Sequence, residues 1–405
     1  MNLIIRTENE DNFEWFKKAL GDSYTYVFKD IPIPDNLSGP TSKTNSEFHN
    51  LPKRLKDLLK FDKTDFIISK ILNEVETPII SLEITKSAPL SQHIEQRMAR
   101  MISAAELGIV PIFICPNKLK KENGDYYKFS NKFYDLYRKI GTINKLPCVI
   151  FNYPDLDGVL INDDEYPECP EIDHKNLIQS INFIKEILSE AQNFENMDFS
   201  FFNNEKIKKV FTDQHLLAKN NKYDFEKMGT CQLIETSELF TYLKNYSNKD
   251  KNWLKKTFDE ISDKIKQRKK SLIFFPGSAR KLEKSRLFAH SGDPYVGMLA
   301  ALDYACCRIG RTVDDRNINL IYIPGNEDDS DFEKVFAPKG FNKFYEKDCP
   351  FKLKKIDDDL DVGVSQQIKL SHHLQYGCTY SKIRPLKIYA HYCDLIIFKN
   401  AVLAF

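Results

Sequence analysis

Two carboxylates, Asp65 and Glu83, interrupt a stretch that is otherwise rich in isoleucine, leucine and phenylalanine. Residues 64–72 (TDFIISKIL) and 78–86 (PIISLEITK) have the β-branched and aromatic content of strands, and the polar connection 73–77 between them is short. A hairpin is the economical arrangement. If it is roughly symmetric, its centre lies near Glu74 and Asp65 falls opposite Glu83. The period of two along the second strand sends Ile80, Leu82 and Ile84 to one face and Ile79, Ser81, Glu83 and Thr85 to the other. A carboxylate in the middle of such a strand costs roughly several kcal/mol unless it is paired or metal-bound. Side by side, two of them are a natural seat for a divalent cation. The competing readings are that Asp65 is only a turn or cap residue, and that Glu83 forms an ion pair with Arg97 or Arg100 that serves the fold alone.

The elements around the pair can be read from periodicity. Residues 90–107 form a helix whose apolar stripe is Ile94, Met98, Met101, Ile102 and Ala105, with Gln92, Glu95, Gln96, Arg97 and Arg100 towards its other faces. The run 109–115 (IVPIFIC) then reads as a buried strand. Lys86 comes three residues after Glu83, so a regular strand sends it to the opposite face.

This order of strand, turn, strand, helix and strand, with Asp65, Glu83 and the run Glu83-Ile84-Thr85, resembles the core of the PD-(D/E)XK nuclease superfamily, which includes most type II restriction endonucleases. The resemblance implies an α/β fold with a mixed central sheet flanked by helices. It also implies that Asp65 and Glu83 hold one or two Mg2+ ions, with a basic residue beside them. The family pattern has its lysine two residues after the second acid, whereas Lys86 lies three after it. Either a β-bulge restores Lys86 to the site, or the basic role has moved to Gln92, Gln96, Arg97 or Arg100. In several members a residue on the first helix completes the metal site, which brings in Glu47 and His49. For Glu47 the alternative is a first-turn acid that opposes the helix dipole.

With 405 residues the chain is long enough for two domains. Lys and Arg number 59 against 58 Asp and Glu, which argues against a tail-driven nucleic-acid binder but leaves room for a local basic cleft. No apolar run is long enough to span a bilayer, and the acidic residues near the start (MNLIIRTENEDNFEW) do not suit a leader, so a cytoplasmic protein without membrane contact is expected. Nine scattered cysteines with no Cys-x-x-Cys favour reduced thiols over disulfides or zinc. No phosphate-loop, dinucleotide or nucleophile-elbow glycine motif occurs, which weighs against an ATPase, a dinucleotide enzyme and an α/β-hydrolase.

Along the rest of the chain, short strands are expected at 2–5, 23–28 and 147–151, and helices at 12–20, 47–60, 132–140 and 176–192. Residues 117–127 read as a charged loop and 154–170 as an acidic surface excursion. A boundary near residue 196 separates a nuclease core (1–195) from a second α/β domain (196–405). In that domain a helix at 253–270 ends in Lys266, Arg268, Lys269 and Lys270 and precedes a strand at 272–275. After it come the basic run Arg280, Lys281, Lys284, Arg286 and His290, a helix reaching Arg308, and a strand at 318–323.

The expected function is a Mg2+-dependent, sequence-specific endonuclease cutting double-stranded DNA, working as a homodimer. Its second domain would read bases through Arg280, Lys281, Lys284 and Arg286, joined by Arg308, Arg311 and Arg316, because the arginine fork matches guanine edges. Two alternatives belong to other classes. One is a nucleic-acid-binding or defence-complex subunit that keeps the fold without catalysis. The other is a metal-dependent transferase acting on a nucleotide sugar.

Overall fold

Hydrogen bonding between strands in the first half of the chain builds a six-stranded mixed sheet, and in the second half a separate five-stranded one. The computed structural model describes residues 2–32, 47–48, 50–61, 63–85, 91–120, 126–153, 175–193, 200–223, 231–246, 259, 261–274, 294–323, 384–397 and 402–405. Its contacts divide the chain into two units, Met1–Ile33 with Ser46–Tyr223 and Pro34–Asn45 with Asp224–Phe405. The protein is therefore α/β, with mixed sheets flanked by helices.

In the first unit the chain runs through β1 (Asn2–Thr7), α1 (Glu10–Leu20), β2 (Thr25–Asp30), α2 (Lys53–Leu58), β3 (Phe66–Leu72), β4 (Val75–Ile84), α3 (Ser91–Glu106) and β5 (Val110–Pro116). It continues through the hairpin strands β6 (Lys118–Lys120) and β7 (Tyr126–Lys128), then α4 (Lys132–Asn144), β8 (Val149–Tyr153), α5 (Lys175–Gln192) and α6 (Glu205–Ala218). The sheet order is β2-β1-β3-β4-β5-β8. β3 is antiparallel to both β1 and β4, whereas β4, β5 and β8 run parallel. Parallel neighbours need a crossover, and α3 supplies it between β4 and β5.

Both faces of this sheet are covered, so β4 is buried along nearly its whole length. One face carries α2 and α3, where Leu55, Leu58, Ile67, Ala104 and Ile109 pack together. On the other, Phe16 of α1 packs on Phe66 at 5.2 Å between ring centroids, and Lys70 donates to the Ala191 carbonyl of α5. The expected apolar stripe of α3 is buried at every position. The start of α1 is held by Asn9, whose Oδ1 accepts from the Asn12 amide at 2.8 Å.

Several expectations need correction. The helix at 47–60 is broken at Pro52, which caps the start of α2 with φ −52° and ψ 144°. A proline has no amide to continue the earlier turn and pushes the residue before it out of helical geometry. Part of the charged stretch at 117–127 pairs as β6 and β7 instead of remaining a loop. The first unit also extends to Tyr223, not to a boundary near residue 196. The cause is α6: Gln214 both donates to and accepts from the Ile150 backbone, so its amide covers the outer edge of β8. The Tyr223 amide then donates to Asp135 on α4 at 3.0 Å. At the crossing of α4 and α6 a Cβ on Gly141 would lie 2.6 Å from the Phe211 ring, so only glycine permits this approach.

The second unit orders its strands β13-β12-β11-β10-β9. They are β9 (Cys231–Glu235), β10 (Lys270–Phe274), β11 (Asn319–Tyr322), β12 (Leu395–Ile397) and β13 (Val402–Ala404), with the middle three parallel and the outer two antiparallel. Its described helices are α7 (Leu239–Tyr246), α8 (Asp263–Gln267), α9 (Pro294–Leu302) and α10 (Arg384–Tyr392). The expected helix at 253–270 is shorter at its C-terminal side: α8 stops at Gln267 and β10 starts at Lys270. The expected helix to Arg308 stops at Leu302 and widens into a π turn, Asp303–Cys307.

Both changes serve one buried network at the N-terminal ends of the parallel strands. Arg268 turns inward to Asp394 and Asn319. Asp303 receives Arg316 Nε at 2.7 Å and Arg308 Nη2 at 2.8 Å, and all three side chains are fully buried. Asp394 also accepts from the Leu320 amide at 2.8 Å and pairs with Arg316 Nη1 at 3.2 Å. Burial opposes the Arg316 charge, but Asp303 and Asp394 outweigh it and its pKa rises. Among the described residues no helix is long and apolar enough to cross a membrane, and the described cysteines, including the buried Cys115 and Cys148, form no disulfide.

Candidate active site

The site begins with a turn. Asn73 and Glu74 join β3 to β4 with positive φ values of 48° and 64°, the left-handed pair that a two-residue hairpin of type I′ requires. Next to this turn the register is Leu72↔Val75, Ile71↔Glu76, Lys70↔Thr77 and Ser69↔Pro78. Continued unchanged, it would set Asp65 opposite Leu82. It does not continue, because the pairing shifts between Ile68 and Ser69 and resumes as Ile68↔Ile80, Ile67↔Ser81 and Phe66↔Leu82. Ile79 is the extra residue of a β-bulge, next to a proline that has no amide to give to the ladder. One further step brings Asp65 level with Glu83. The expected juxtaposition holds, but through a tighter turn and a bulge that offset each other.

Ile67 belongs to the cluster under α2 and α3, so its partner Ser81, and with it Glu83 two residues on, faces α3. The Glu83 side chain is completely buried. Arg100 Nη1 donates to both of its oxygens at 3.1 Å, and Arg97 Nε stands 3.1 Å from Oε2. Asp65 keeps some exposure at its edge, while its carboxyl is closely surrounded. Its Oδ2 accepts from the Ile84 amide at 2.7 Å. Burial, and then the Glu83 charge, push the Asp65 carboxyl up to about 7, against the pull of the Ile84 amide, Arg97 and Arg100.

The site lies at the C-terminal ends of β4, β5 and β8, the edge where open parallel sheets form their crevices. Tyr134 donates to Asn152 Oδ1, and Asn152 Nδ2 donates to Cys115 Sγ at 3.2 Å. Burial raises both the Cys115 thiol and the Tyr134 phenol, so neither ionises near neutrality. Among the described residues the Ser81 hydroxyl is buried without a hydrogen-bond partner, on the same strand face as Glu83.

No family model, curated protein or solved structure matches this chain. What the site can do therefore follows from its own atoms. Adjacent carboxylates are hard oxygen donors, and magnesium is commonly held by one or two of them, with water and phosphate completing the shell. Among the described residues no three His, Cys, Asp or Glu side chains converge. Asp65 and Glu83 fit such a sparse site, because a cation would relieve the repulsion that their closeness creates. It would have to share or displace the hold of Arg97 and Arg100 on Glu83.

The other expected residues divide by position. Gln96 is half-buried on α3, and Glu47 is exposed in the helical residues before Pro52. Gln92 lies in the first turn of α3, but its side chain is outside the described residues. So are Lys86, His49, Arg280, Lys281, Lys284, Arg286 and His290. Arg308 and Arg316 are corrected: both serve the buried network in the second unit, so neither is available to a base edge. Arg311 is exposed. Glu95 is also corrected, since it is buried and not on a solvent face. Burial pushes it up to about 8, against the charge of Lys132. The signal was available: Glu95 is three residues before Met98 and seven before Ile102, on the flank of the apolar stripe.

The raised Asp65 carboxyl makes stability depend on pH. Its folded pKa lies above the ordinary 3.8, so its stabilising share is complete below about pH 4 and is lost as pH rises through about 7. At roughly 1.4 kcal/mol per pK unit, the metal-free protein should lose up to a few kcal/mol between about pH 5 and pH 8. Asp65→Asn should flatten that profile and raise the urea midpoint at the alkaline end. Trp15, whose ring lies 6.1 Å from Phe66, reports on this region in a Trp253→Phe background. A profile unchanged by Asp65→Asn would reject the assignment of the titration to Asp65.

Proposed function

We propose that the chain is a magnesium-dependent endonuclease of double-stranded DNA, of the type II restriction kind. The observation that supports this most directly is the alignment of Asp65 with Glu83 beneath an arginine-bearing helix, achieved through a bulge that brings the carboxylates to the same position. A buried like-charge pair has no packing value, whereas it suits a cation that must meet a phosphodiester. Asp65 and Glu83 would hold the ion. A bound ion supplies Lewis-acid stabilisation of the phosphate and an activated water. Arg97 and Arg100 add fixed positive charge beside the same place, and Lys86 is the further candidate for orienting the nucleophile. Base recognition falls to the second unit, through Arg280, Lys281, Lys284 and Arg286. Cytoplasmic location and homodimerisation go with this reading, since cutting both strands of a palindrome takes two active sites.

A second reading has its own support. Arg97 and Arg100 satisfy Glu83 without any cation, as they would in a DNA-binding or defence-complex subunit that has no catalysis. No observation favours the nucleotide-sugar transferase. Incubation of plasmid with Mg2+, and then with EDTA, separates the two readings. Discrete fragments that disappear with EDTA support the nuclease, and a gel shift without cutting in either condition supports the binding subunit.

A further inference from the structure

Glu83 is the most deeply buried member of its cluster, while the Arg97 and Arg100 side chains keep 19% and 16% of their surface. The two guanidiniums therefore stand between the carboxylate and solvent. Their pairing has a direct electrostatic consequence. With Glu83 and Asp65 ionised, the charges of the four side chains cancel. If the carboxylates are instead balanced by a divalent cation, the two guanidiniums are left uncompensated and accessible. A guanidinium fork matches phosphate oxygens as well as it matches a carboxylate.

We propose that Glu83 is an exchangeable carboxylate. In the metal-free protein it neutralises Arg97 and Arg100; when a divalent cation engages it, those two arginines become the seat of a DNA phosphate. This rests on the nuclease reading for the identity of the ligand and adds the order of events at the site. Coupling of this kind is reciprocal: cation tightens phosphate, and phosphate tightens cation by the same factor. It also runs against the ordinary effect of added divalent cation, which competes for the DNA counterion atmosphere and weakens binding.

The test uses the full chain and a pool of fluorescently labelled duplex fragments, so no recognition site need be known. Binding is followed by anisotropy at constant ionic strength, in Ca2+ or in EDTA. The wild-type chain should bind about tenfold more tightly, or better, in Ca2+, the scale of one or two gained charge-assisted contacts. Glu83→Gln, which no longer neutralises the arginines, should bind in EDTA about as tightly as wild type does in Ca2+ and should respond little to Ca2+. Its salt slope in EDTA should steepen by about one per freed arginine. A folded Glu83→Gln that binds in EDTA no better than wild type overturns the proposal. If Glu83→Gln does not fold, Arg100→Gln decides: loss of the calcium response supports the exchange, and a full calcium response overturns it. Cleavage is scored separately. A chain that couples Ca2+ to DNA but never cuts in Mg2+ keeps the exchange and loses the nuclease. A chain that cuts, but whose binding ignores both Ca2+ and Glu83→Gln, keeps the nuclease and loses the exchange.

Discussion

Glu83→Ala should abolish magnesium-dependent cleavage, a fall of roughly a thousandfold or more, while DNA binding survives. The expectation follows from geometry. Glu83 is the buried carboxylate at the position where β3 and β4 bring two acids level, and no third acid among the described residues joins them. Loss of a metal ligand removes several kcal/mol of transition-state stabilisation, and each ~1.4 kcal/mol is a factor of ten in rate. Asp65→Ala should fail in the same way but should not gain affinity for DNA, since Asp65 is not the carboxylate that holds the arginines. Supercoiled plasmid and single-turnover conditions give the rates, and a urea curve confirms that each variant is folded. Substantial cutting by folded Glu83→Ala would sink the site. Lys86→Ala belongs in the same series. A loss of about a hundredfold or more would mark it as the positioned charge beside the phosphate, whereas normal cutting would pass that role to Arg97 or Arg100.

Asp303→Ala should be the most destabilising single change in the second unit, by roughly 3–5 kcal/mol. Three guanidiniums, Arg268, Arg308 and Arg316, are buried against only two carboxylates, Asp303 and Asp394. Removing Asp303 leaves Arg308 and Arg316 dependent on Asp394 and backbone carbonyls, with no water to replace the lost charge. Unfolding in urea, followed by Trp253 fluorescence in a Trp15→Phe background, should record the loss. A change under about 1 kcal/mol would mean that the network is wetter or more adaptable than its burial implies. The pH profile should differ from that of Asp65, because these carboxylates are paired with cations.

What could be read from the residues depended on range. The hairpin, α3 and its apolar stripe follow from local periodicity, and they carried the Asp65–Glu83 pairing with them. The direction of long polar side chains did not follow. Arg97, Arg100, Arg268, Arg308 and Arg316 are as basic in the sequence as any exposed arginine, yet each turns towards a carboxylate. Arg268 and Asp394 are separated by 126 residues, so no window of sequence contains both. Expectation also failed at Pro52 and at the π turn after Leu302, where one residue or one buried charge overrides helical propensity. The domain boundary was missed for a related reason. α6 contributes its Gln214 amide to a strand edge, a role that composition does not reveal.

The hairpin between β3 and β4 behaves like a reading frame with two compensating shifts. The turn at Asn73-Glu74 moves every partner by one step, and the bulge at Ile79 moves it back. A single deletion at either place would bring Leu82 or its neighbours, not Glu83, level with Asp65, and would turn a buried strand's faces over. Deleting Ile79 while lengthening the turn by one residue should preserve the pair. Length changes in this hairpin are therefore expected to be tolerated only in matched pairs, a constraint on how such a site can be inherited or engineered that no individual side chain reveals.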